Sequence, residues 1–165
     1  MFEHPFVFIT ISAAVAAWAL AELFDARWFW AAGAALALIH SAAAFHVFYD
    51  WSHNIALEQT TGQTAALTGV AFAGGIYINY LFLAVWMADA VWWLVGPVSY
   101  KRRPRGLSLA VRGFIFFIIV NGAVVFADGL ARGFGVVAVG AVMLRKFKVQ
   151  VLTSKSKVQQ QGSDE

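Results

Sequence analysis

Long apolar runs separated by short polar links dominate the chain. The first run covers residues 6–24, about the 20 residues a helix needs to cross the hydrocarbon core of a bilayer. It is rich in Ala and carries Glu22 near its end. After the link Asp25-Ala26-Arg27, a second run opens with Trp28-Phe29-Trp30 and closes with Tyr49 and Trp51, two aromatic belts of the kind found at membrane interfaces. Residues 54–64 read as a polar connection. A third segment is expected over 65–95. It begins with small residues whose four-residue spacing (Gly69/Ala73, Ala71/Gly75) suits close helix approach, and Gly96-Pro97 stops it.

The fourth segment, 107–127, spans once, with Arg112 expected to snorkel toward the headgroups. Asp128-Gly129 reads as a turn, and 130–144 as a fifth apolar run. Ten of the twelve Lys and Arg residues fall in two places, 101–112 and 145–157, as in cytoplasmic loops and tails under the positive-inside rule. Putting both clusters inside requires two crossings between them. The expected fold is therefore an all-α polytopic transmembrane bundle of five helices with the N-terminus outside. Four helices with an external C-terminus is the runner-up. Residues 1–152 form one transmembrane domain and 153–165 a disordered cytoplasmic tail, in a bacterial cytoplasmic (inner) membrane. The residues before the first run include no Lys or Arg, so that run is expected to be retained as a helix rather than cleaved as a signal.

Composition sharpens this. The 165 residues are 61% hydrophobic and 13% charged, with mean hydropathy +0.69, far more apolar than a soluble domain. The absence of cysteine excludes disulfides, thiolate metal sites, Fe–S clusters and cysteine nucleophiles. The basic clusters are topogenic and do not indicate nucleic acid. Gly74-Gly75 lacks the strand, helix and Lys-Ser/Thr context of a phosphate loop. Serine-hydrolase motifs are absent, and four histidines are too few for a di-iron hydroxylase or desaturase.

The candidate chemistry gathers at the outer ends of the segments. His40, His46 and His53 fall on or beside the second run, with Asp50 between the last two. On a continuous helix His46, Asp50 and His53 lie within about 60° of one another, while His40 points about 120° away from His46. Two imidazoles and a carboxylate on one stripe suit Zn, Cu or Fe, so His46, Asp50 and His53 are the candidate metal ligands. Haem is a weaker alternative, because its axial histidines usually come from facing helices. Candidate cofactor contacts are His46, His53, Tyr49, Tyr77, Asn79 and Asn121, with Glu58 and Asp128 as further polar support. A His beside an Asp also suits proton transfer, with Asp89 and Glu22 continuing inward. Against these stands a structural reading in which the outer residues are simply hydrated. Asp89 is expected to pair with Arg27 or Arg102 at the inner interface. Asn79, Trp86, Asp89 and Trp93 share one helical stripe.

The functional expectation is a small membrane protein with a His/Asp polar site at its non-cytoplasmic face that binds a metal or redox cofactor. The expected partners are the lipid bilayer and other membrane subunits or further copies. A proton-coupled carrier and a non-catalytic assembly factor are the alternatives.

Overall fold

The computed structural model describes residues 4–161, and these are all-helical. The elements are α1 (Pro5–Phe24), α2 (Arg27–Phe48), α3 (His53–Thr68), α4 (Gly75–Val95), α5 (Pro97–Arg102), α6 (Arg105–Val120), a π-helical segment (Asn121–Val125) and α7 (Gly129–Gln161). Four stretches are long and apolar enough to cross a membrane: Pro5–Phe24, Arg27–Phe48, Gly75–Val95 and Arg105–Val125.

Small residues set the closest packing. Ala14, Ala17 and Ala21 of α1 and Gly33, Ala34 and Ala37 of α2 are all buried, so the two backbones come together with little side chain between them. A Cβ at Gly33 would lie 2.7 Å from the Trp86 ring and 3.3 Å from the Trp18 backbone nitrogen. Trp18, Trp30 and Trp86 fill the centre of this packing. Pro5 and Pro97 sit at the first turns of α1 and α5, where no amide hydrogen is needed.

The middle of the chain departs from the sequence expectation. Residues 54–64 are not an irregular connection but most of α3. Thr61, Thr64 and Thr68 return their hydroxyls to the carbonyls of Leu57, Thr60 and Thr64 at 2.7, 2.9 and 2.8 Å, so the polar stretch satisfies itself as helix. The expected third segment does not start at residue 65. Gly69 adopts φ 74° and ends α3, and α4 begins only at Gly75. Gly69, Ala71 and Ala73 therefore lie outside any helix, and Gly75 meets a neighbouring helix at Thr60.

The helices end in two polar groupings. At one end, here the basic end, Glu22 of α1 meets Arg112 of α6 (3.6 Å) and Lys146 of α7 (2.8 Å), and its carbonyl accepts from Arg145. At the other, here the histidine end, the His4 ring meets Phe48 edge-on at 5.1 Å, and α3 packs on α4. α7 turns back after Asp128, where Arg132 bonds the Ala127 carbonyl (2.7 Å) and Asp128 (3.1 Å). It then passes the π segment and α1 before reaching Glu22. The helical backbone continues through Gln161, past the expected start of a disordered tail, and residues 162–165 lie outside the described residues.

Candidate functional site

A cavity of about 260 Å³ opens between α1, α2, α4, α6 and the π segment, in the half of the bundle nearer the histidine end. Most of its wall is apolar, including Ile11, Val15, Phe45, Ile76, Phe82, Leu83, Ile118 and Ile119. The polar residues of the wall are His40, Ser41, Tyr49, Asn79 and Tyr80, with the Trp86 indole beside them. Among the described residues, no Asp, Glu, Lys or Arg lines it. Mostly apolar walls with a few polar groups are the usual make-up of a small-molecule site.

Each polar group has a definite local origin. His40 is half-buried, with Nδ1 3.0 Å from the Val7 carbonyl and 3.4 Å from Thr10 Oγ1. A carbonyl can only accept, so Nδ1 carries a proton toward Val7. Tyr49 follows the last turn of α2. Burial raises its phenol pKa, and a hydrogen bond with Thr60 partly offsets that, so it stays protonated at neutral pH. Trp86 is 1% exposed and wedged against Gly33, Trp30 and Phe82. Its Nε1–H is buried and has no partner among the described residues. Leaving such a donor unsatisfied costs about 1–3 kcal/mol. The π segment adds Gly122 and Ala123 to the wall. Phe126 N–H bonds the Asn121 carbonyl at 2.9 Å, five residues back, the pattern of a π-bulge, which often marks a functional site.

The expected His46–Asp50–His53 stripe is not present. Asp50 and Trp51 take left-handed φ values of 47° and 56°, so α2 stops at Phe48 and His53 starts a different helix. A helical phase cannot be carried through that turn. His46 and Asp50 are exposed, and the His46 ring leans on Trp51 at 6.3 Å. Among the described residues no group of three or more His, Cys, Asp or Glu could hold a metal ion. His53 instead sits between two phenols, with Nδ1 3.0 Å from Tyr80 Oη and Nε2 3.3 Å from Tyr77 Oη.

Of the other candidates, Tyr49 and Asn79 reach the cavity, and Tyr77 reaches it only through the His53–Tyr80 group. Asn121 turns its amide to its own helix at Phe117 O, 2.7 Å away. Glu58 and Asp128 are exposed, and Asp128 pairs with Arg132. His40, set apart by the helical phasing, is the histidine that lines the cavity.

A second polar cluster lies at the basic end. Asp89, 5% exposed, accepts from Trp30 Nε1 (2.9 Å) and Tyr100 Oη (2.8 Å) and pairs with Arg103. Arg103 also bonds Ser108 Oγ (2.8 Å) and Tyr100 Oη (2.9 Å) and covers the Tyr100 ring at 3.9 Å. Burial, then the bond and charge of Asp89, push the Tyr100 phenol up to about 12. Arg112 is held among the ends of the helices. It lies over the Trp30 and Trp93 rings at 5.4 and 5.3 Å and pairs with Glu22 and Asp25. Asp89 thus has an arginine partner, but Arg103 rather than Arg27 or Arg102. No protein-family model matches the chain, and no curated protein or solved structure does either.

Proposed function

We propose that this is a small multi-pass membrane protein that binds an uncharged small molecule inside its helix bundle, on the non-cytoplasmic side. The observation that carries the reading is the cavity: largely apolar walls, polar residues from two long helices, and no charged side chain among the described residues. An uncharged lining suits a neutral ligand, because a buried charge without a partner is costly.

The topology behind this reading has five crossings and an external N-terminus. Its support is the meeting of Arg145 and Lys146 with Glu22, which returns α7 to the end where α1 finishes. The positive-inside rule then puts the basic end in the cytoplasm, and the bacterial cytoplasmic membrane is the expected location. The bilayer is the proposed partner of exposed apolar residues such as Phe6, Ile9, Leu81 and Val91. A carrier that moves protons through Asp89 is less well supported, since that carboxylate is held by Arg103, Trp30 and Tyr100.

The test uses durene, a four-methyl benzene, as an uncharged probe. Equilibrium dialysis against protein in nanodiscs, with empty nanodiscs as blank, should show saturable binding. Ala44→Leu, which fills the cavity from α2, should remove it while leaving the unfolding temperature unchanged or higher. Binding that survives Ala44→Leu in a folded protein, or no binding above the blank, would refute the reading.

A further inference from the structure

We propose that α3 is a hinged lid at the mouth of this cavity, latched to α4 by His53, and that the ligand enters from the non-cytoplasmic aqueous side when the lid lifts. The proposal rests on the binding reading above and adds to it the route of access.

The mouth lies toward the histidine end. The stripe of α4 that buries Trp86 and Asp89 is open at Asn79, two turns nearer that end, and Asn79 lines the cavity. Phe45, Tyr49 and Tyr80 line the same part of the wall as one group, Phe45 meeting Tyr49 at 5.2 Å and Tyr80 at 6.1 Å between ring centroids. Among the described residues none of α3 lines the cavity, but α3 holds both of these phenols. Tyr80 Oη is 3.0 Å from His53 Nδ1, and Tyr49 is hydrogen-bonded to Thr60. His53 Nε2 also meets Tyr77 Oη at 3.3 Å. A neutral imidazole donates from one nitrogen and accepts at the other, and a phenol does either, so both bonds of His53 coexist.

α3 is built to come away as a unit. Among its described residues only Ala56 is fully buried. The hydroxyls of Thr61, Thr64 and Thr68 bond carbonyls of α3 itself, so they need no partner elsewhere in the bundle. An element with few buried apolar contacts belongs to the low-stability end of a fold. Both of its ends are pivots. Asp50 and Trp51 before it are left-handed, at φ 47° and 56°, and Gly69 after it has φ 74°. Hinges are a few residues at the ends of elements that absorb such backbone changes. The break that takes His53 off the α2 stripe therefore sets it where it can latch α3 to α4. The competing route is sideways from the bilayer, past the exposed Gly122 of the π segment.

The chain has no cysteine, so a single thiol set in the wall reports access, and Ser41→Cys places one there. Its labelling rate in nanodiscs is measured with a charged methanethiosulfonate, which arrives only from water, and with N-ethylmaleimide, which also crosses lipid. His53→Phe keeps a ring among the phenols and removes both bonds. Adding it should speed the charged reagent roughly tenfold, the weight of two modest neutral hydrogen bonds, and Tyr77→Phe should fall between. Val142→Cys separates lid opening from general loosening. Val142 is 1% exposed on α7 and is not part of the cavity wall, so that thiol should stay unreactive with and without His53→Phe. Equal rates at Ser41→Cys with and without His53→Phe, a parallel gain at Val142→Cys, or no labelling by either reagent overturns the lid. Labelling by N-ethylmaleimide alone overturns it too and assigns entry to the bilayer side. Equilibrium binding of durene to wild type does not depend on the route. Its presence leaves the cavity reading standing when the lid fails, and its absence overturns both.

Discussion

Asp89 shows how one residue can carry the stability of an end of the bundle. Its carboxylate is buried, charged and satisfied by three partners drawn from α2, α5 and the turn after it. Removing one member of such a pair leaves a buried charge uncompensated, which costs about 3–5 kcal/mol. Asp89→Asn should therefore lower the unfolding temperature sharply and lose protein on purification, where a proton carrier would keep its fold and lose only flux. A thermal-unfolding curve in detergent, compared with exposed Asp128→Asn, checks it. The sequence held much of this. The shared phase of Trp86, Asp89 and Trp93 is legible there, and the structure buries all three, while Asn79 at the start of the same stripe is exposed. The partner is Arg103 and not the adjacent Arg102, because Arg103 lies just beyond α5 and only the path of that short helix decides which guanidinium arrives. Sequence position alone puts Trp30 in an interfacial belt with Trp28. Trp28 is 68% exposed and fits that role, but Trp30 is 1% exposed and turned to Asp89.

At the scale of elements, the π segment is the feature with the clearest consequence. It gives Ala123 to the cavity wall and its carbonyl to the close approach of α7. A Cβ at Gly135 would overlap the Ala123 carbonyl oxygen, which is backbone and cannot rotate away, whereas a Cβ at Gly140 would meet nothing within 4 Å. Gly135→Ala should lower the unfolding temperature and weaken probe binding, and Gly140→Ala should do neither. Both are read from melting curves and dialysis on the same preparations. Nothing in the composition of Asn121-Gly122-Ala123 distinguishes a π-helix from an α-helix, so this was not legible. The break between α2 and α3 was partly legible. Ser52 is a preferred N-cap residue and its Oγ accepts from Ile55 N–H at 3.4 Å. That signal marks a helix start at His53, and the stripe through Asp50 required that no helix start there.

For the whole molecule, the number of crossings has the most direct test. The chain has no cysteine, so single cysteines report location without further changes. With five crossings, Ser52→Cys should react with an impermeant maleimide on intact cells, and Ser154→Cys only after permeabilisation. Four crossings would label both from outside. The sequence by itself determined that the chain is helical and apolar enough to cross a membrane several times, because run length and charge clustering are local properties that the bilayer reads directly. Only the tertiary structure decided which polar groups meet. His40 rather than His46 reaches the cavity, since two left-handed residues redirect the chain after α2. That the indole N–H of Trp86 has no partner among the described residues emerges only once Gly33, Trp30 and Phe82 fix that ring, because satisfaction of a donor is defined by every neighbour at once and by no residue alone.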